Sequence, residues 1–231
     1  MPRANVKDKR KAQLIAATIE SIGKRGLQET TITHISKGAG MSRGIINFYF
    51  TSKEAMMQET LRTLTEEYTA IWQEGLPADA KGKDALDALI ASHFSKKLCQ
   101  AKRLNVMSAF WGHAATHAAY REILQNSDAQ FEAALAQAWK QAGIPEQEAP
   151  HVARQAHALI RGLWLAFMLS DGERDTLAAA VAAGDLNRAC RAAHALKGLL
   201  LDVGAQGVAA VAAELERSCK DGIAVECAQD E

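Results

Sequence analysis

Residues 31–53 read TITHISKGAGMSRGIINFYFTSK, and their pattern sets the fold class. Thr31 stands where a helix N-cap is wanted, its hydroxyl able to accept from the first unpaired backbone N–H groups. Ile32, Ile35 and Ala39 repeat at helical spacing and give a short helix one apolar side. Gly40 supplies the unusual backbone that a tight turn between two packed helices requires. Ser42 then caps a second short helix in which Ile46 faces inward while Arg43, Gly44, Asn47 and Tyr49 face out. The spacing predicts a helix-turn-helix whose second helix is short enough to enter a DNA major groove.

Working outward, an apolar face of Leu14, Ile15, Thr18, Ile19 and Ile22 predicts a preceding helix over 9–24, with Gly26 as its C-cap. A fourth helix is expected after Ser52, carrying Met56, Met57 and Leu61 and continuing through Tyr68 to Trp72. Pro77 and the run PADAKGK end it and mark a linker, which makes this helix a natural lever between two domains. Helices are then expected over 84–98, 102–113, 117–142 and 148–169, the last two parted at Gly143-Ile144-Pro145. The last of them, HVARQAHALIRGLWLAFML, is apolar almost all round and belongs in a core or a subunit interface. His113, His117, His151 and His157 show no ordered metal-ligand spacing and read as ordinary helix residues.

A chain of 231 residues with 48% hydrophobic residues and only 4 prolines fits an all-α protein. No apolar run reaches the roughly 18 residues a membrane span needs. The N-terminus, MPRANVKDKRKAQ, lacks the apolar core of a secretory signal. Cys99, Cys190, Cys219 and Cys227 are scattered, which suggests reduced thiols in the cytoplasm. Net charge is zero, yet residues 1–66 hold eleven Lys/Arg against six Asp/Glu. Arg3, Lys7, Lys9, Arg10 and Lys11 form a basic arm suited to phosphate contacts. No Ser/His/Asp, Cys/His, paired-carboxylate or phosphate-loop constellation stands at usable spacing, so no enzyme activity and no cofactor are expected.

The segment from about Arg10 to Thr60 resembles the DNA-binding domain of TetR-family repressors. GIINFYFTSKEAMM is similar to that family's Tyr-x-Phe-x-x-Lys-x-x-Leu signature through Tyr49, Phe50 and Lys53, with Met56 in place of Leu. The resemblance implies that Thr31, Thr33, Ser42, Arg43, Gly44, Ile45, Asn47, Phe48, Tyr49 and Lys53 face DNA. The chemistry of these side chains agrees. Arg43 can bond guanine bidentately and Asn47 can pair with adenine or reach a phosphate. Gly44 and Ile45 would allow close approach and contact with thymine methyl groups. Tyr49 and Lys53 would hold phosphates, with Thr31 and Thr33 as clamps at a helix N-terminus. A two-fold dimer on a palindromic operator follows from the need to read two half-sites.

SAFWGHAATHAAYREIL and LIRGLWLAFMLS, with RKAQLIAATIESI earlier in the chain, resemble the betaine-operon branch of that family over roughly residues 8–170. This resemblance implies a repressor of glycine betaine synthesis relieved by choline or a related quaternary ammonium. Phe110, Trp111, Tyr120, Trp139 and Trp164 are the candidate ligand residues, because aromatic faces attract a cation that donates no hydrogen bond.

The tail departs from that pattern. Ala193-His194-Ala195-Leu196-Lys197-Gly198, then Gly204-Ala205 and Leu215-Glu216, resemble part of a histidine phosphotransfer (HPt) domain. The resemblance implies His194 as phosphoacceptor from a response-regulator receiver domain, with Lys197 on the same helical face to neutralise the phosphoryl group. The expected organisation is a DNA-binding domain over 8–68, a ligand-binding and dimerisation domain over 69–171, and an HPt-like helical extension over 172–231.

Overall fold

The computed structural model describes residues 3–169; the HPt-like segment and His194 lie outside the described residues. The described chain forms helices and no strands: α1 (Arg3–Glu29), α2 (Ile32–Ala39), α3 (Arg43–Tyr49), α4 (Lys53–Gly75), α5 (Gly82–His93), α6 (Ala101–Ala114), α7 (Ala118–Gln141) and α8 (Ala149–Leu169). None of them is long and apolar enough to cross a membrane.

The expected order of helices is observed, and the differences are at ends. The first helix starts six residues earlier than expected, at Arg3, and α1 runs on to Glu29 across an interruption at Gly26. Gly26 sits at φ 83°, ψ 170°, a backbone that glycine adopts without steric penalty, so the helical ladder breaks there as the sequence suggests. The helix expected over 84–98 stops at His93. The next residues turn instead, with Phe94, Ser95 and Leu98 N–H groups bonding three residues back.

Two compact units emerge. The first comprises, among the described residues, 3–70 with Gln100–Ala129. In it α1 packs on α2 and α6, around a core that includes Leu14, Ile35, Ile46, Met56, Leu61 and Phe110, all 1% exposed or less. The second comprises, among the described residues, Ile71–Cys99 with 130–169. Its core includes Leu89, Phe131, Leu135 and Ala153, all fully buried, with Trp72, Trp139, Ile160 and Trp164 nearly so. Helix α8 contributes Val152, Ala153, Ala156, His157, Ile160 and Trp164 to that core, which accounts for its apolar composition; Leu165 remains 50% exposed.

Candidate nucleic-acid interface and effector site

The helix-turn-helix is assembled by local capping. The Thr31 hydroxyl accepts from the His34 N–H at 3.2 Å, satisfying one orphan donor at the start of α2. Gly40 ends α2 in the left-handed conformation, φ 62°, ψ 31°, and its N–H returns to the Lys37 carbonyl. Ser42 then caps α3, its hydroxyl accepting from the Ile45 N–H at 3.4 Å. Ser52 repeats the device at the entry to α4, accepting from the Ala55 N–H at 3.0 Å.

Only Ile46 of α3 is buried; it anchors the helix while Arg43, Gly44, Asn47 and Phe48 are exposed, and Ile45 and Tyr49 are half-buried. A Cβ at Gly44 would meet nothing nearer than the Ser42 hydroxyl at 3.9 Å, so this side of the helix is open. Phe48, 73% exposed, meets Tyr49 edge-on at 5.2 Å, and the Lys7 ammonium lies 5.9 Å from the Phe48 ring centre. That cation–π contact brings the basic arm to the recognition helix.

Three of the expected phosphate and base contacts are engaged within the protein. The Arg43 guanidinium donates to the Thr33 hydroxyl, joining α3 to α2. The Lys53 ammonium donates to the Gln28 carbonyl at 3.3 Å, which ties the start of α4 to the end of α1 and leaves two of its N–H groups for a phosphate. Within the arm, Lys7, Lys9 and Arg10 are exposed, whereas Lys11 pairs with Glu59 of α4. That hydrogen bond holds the Glu59 carboxyl below its ordinary range.

The aromatic residues expected to form one ligand cage are divided between the two units. Phe110, Trp111 and Tyr120 belong to the unit that holds the helix-turn-helix. There Phe110 and Tyr120 meet edge-on at 5.3 Å, and the His117 ring stacks on Tyr120 at 5.2 Å. The Tyr120 hydroxyl donates to the Glu54 carboxylate at 3.1 Å, and burial and that charge push its own ionisation upward. Trp139 and Trp164 belong to the other unit.

In that second unit a different set of rings converges on Phe131 of α7. Trp72 of α4 lies 5.6 Å away, His93 of α5 at 4.0 Å and His157 of α8 at 5.1 Å. Trp164 stacks on His93 at 5.6 Å, and its indole N–H donates to the His93 carbonyl at 3.1 Å. His93 is fully buried, and desolvation pushes its pKa down to about 3, so its ring is neutral at physiological pH. The neutral ring carries its proton on Nδ1, 2.8 Å from the Leu89 carbonyl. The His157 Nδ1 lies 3.1 Å from a Glu132 carboxylate oxygen. His157 is thus buried, with its ring nitrogen within hydrogen-bond distance of a carboxylate. Aromatic faces beside a carboxylate can hold an organic cation. Trp72, Phe131 and His93 were not singled out in the sequence, where they sit at ordinary core positions of three separate helices.

The chain matches the family model for bacterial regulatory proteins of the tetR family over residues 14–60. It matches the model for the BetI-type transcriptional repressor C-terminal domain over 82–191, and the Hpt domain model over 166–230. It is similar to the HTH-type transcriptional regulator BetI of Burkholderia ambifaria, 31% identical over 186 residues that cover 80% of this chain and 95% of the relative. The corresponding BetI of Burkholderia thailandensis is 32% identical over 194 residues, with the same coverage. Among solved structures, a transcriptional regulator from Pseudomonas aeruginosa PAO1 superposes with a TM-score of 0.66 at 27% identity, covering 72% of this chain and 82% of that one. A regulator from Saccharomonospora viridis in complex with choline shares the fold, with a TM-score of 0.62 at 20% identity over 72% of this chain and 88% of its own.

Proposed function

Because the chain belongs to the TetR family, as a BetI-type DNA-binding transcriptional regulator and not an enzyme, we propose that it represses genes for making glycine betaine from choline and is released by choline or a related quaternary ammonium. The carrying observation is α3, which buries Ile46 alone and leaves Arg43, Gly44, Asn47 and Phe48 exposed beside the Lys7 arm. We assign DNA contact to 8–68 and effector binding with dimerisation to 69–171. A homodimer on a palindromic operator is supported by the need for two half-sites about one helical turn apart. Exposed Leu165 on α8 offers apolar surface for the second copy. The cytoplasm, where the chromosome lies, is the matching compartment.

The effector reading rests on the rings around Phe131. Helix α4 carries Met56, Met57, Leu61 and Leu64 into the core of the DNA-binding unit and Trp72 into this ring cluster. A ligand that binds more tightly to one setting of Trp72 therefore biases the setting of α4. What releases DNA is that difference in affinity between two settings. Fluorescence anisotropy on labelled DNA from the upstream region, at fixed salt, tests the reading. Competitor-resistant binding that choline reverses is expected; binding indifferent to choline removes the effector assignment and leaves the DNA-binding one.

A second reading draws on the Hpt match over 166–230, in which His194 accepts a phosphoryl group from a receiver domain. Incubation with a phosphorylated receiver should label the native chain and not His194→Gln; an unlabelled native chain removes this reading.

A further inference from the structure

The ring cluster contains a donor with nothing to donate to. Trp72 is 5% exposed, and its indole N–H is buried without a hydrogen-bond partner. Three polar groups of the cluster are held elsewhere. The His93 Nδ1–H is held by the Leu89 carbonyl, the Trp164 N–H by the His93 carbonyl, and the His157 Nδ1 by Glu132. A buried N–H left unmade carries the full cost of its lost hydration, which favours any bound molecule that restores the bond. Trp139 also buries an unpartnered indole N–H but is not in ring contact with this cluster.

A tetraalkylammonium group neither donates nor accepts a hydrogen bond, so ring faces and the Glu132 carboxylate meet all its needs and leave the Trp72 N–H unanswered. An oxygen on the same small molecule would answer it. We propose that Trp72 Nε1 donates to an oxygen of the effector, making Trp72 the residue that selects a quaternary ammonium bearing a hydroxyl or carbonyl oxygen over a bare tetraalkylammonium. This rests on the quaternary-ammonium reading above. It adds to that reading a specificity residue and a required functional group.

Calorimetric titration of the full chain with choline and with ethyltrimethylammonium, the same cation lacking the hydroxyl, tests it directly. Native protein should bind choline about tenfold more tightly, the effect of one hydrogen bond made against one left unmade. Trp72→Phe keeps an aromatic face and removes the donor, so it should weaken choline several-fold more than it weakens ethyltrimethylammonium. Equal affinities of the native chain for the two cations overturn the proposal, as does equal weakening of both by Trp72→Phe. If that variant fails to fold by circular dichroism, the native comparison decides alone. Absence of binding by either cation overturns the quaternary-ammonium reading itself, and this inference with it.

Discussion

The guanidinium of Arg43, on the first turn of α3, donates to the hydroxyl of Thr33, on the first turn of α2. The two side chains invite separate roles, one reading a base and the other clamping a phosphate. Their bond makes them a unit: Thr33 restrains the Arg43 fork, while the remaining guanidinium N–H groups stay available to an acceptor.

Arg43→Ala should therefore lose roughly 1–3 kcal/mol of discrimination between operator and mismatched DNA. Thr33→Val should lose a smaller part of the same quantity, and the double variant should lose no more than Arg43→Ala. Binding titrations on operator and single-mismatch duplexes measure all three. Fully additive losses would show that the two residues act independently.

Lys53 bonds the Gln28 carbonyl and keeps N–H groups for a phosphate. Lys53→Ala should weaken binding to operator and random DNA alike and reduce the salt slope by about one ion. Affinity measured across a salt series checks this; an unchanged slope would confine Lys53 to tying α4 to α1.

Ile46 is the sole buried side chain of α3 and is 1% exposed. Ile46→Ala should cost roughly 2–5 kcal/mol, from lost apolar transfer and the cavity left under the recognition helix. Urea unfolding monitored by circular dichroism gives the value. A loss below half a kcal/mol would mean that α3 is held by its caps alone.

His93 has its pKa lowered from 6.5 to about 3 by burial. Between those values the unfolded chain binds a proton that the folded chain refuses, so stability is complete above 6.5 and falls as pH drops toward 3. The slope approaches about 1.4 kcal/mol per pH unit for this one group. His93→Gln should flatten the stability profile across that window in chemical denaturation. An identical profile in native and variant would sink the assignment.

The helix-turn-helix could be read residue by residue because every signal in it is local. A cap acts on an N–H three residues away, as Thr31, Ser42 and Ser52 do. The inward position of Ile46 follows from spacing within one short helix. The end of α5 was less legible. The apolar residues Phe94 and Leu98 continue a helical pattern, and the chain nevertheless turns at His93 to bury them.

The aromatic site was legible as composition and not as geometry. Periodicity places Phe110, Tyr120, Trp139 and Trp164 on inward faces, and all four are buried. It does not say which inward faces meet. Trp72, His93, Phe131 and Trp164 come from α4, α5, α7 and α8, and their convergence depends on how four helices pack, over separations of up to 92 positions between Trp72 and Trp164. Sequence thus carried the helices, their caps and the exposed face of α3, because those depend on neighbours within a turn. Packing alone selected the rings around Phe131 and left the Trp72 N–H without an acceptor, because contacts between distant helices are settled by shape and burial across the whole unit.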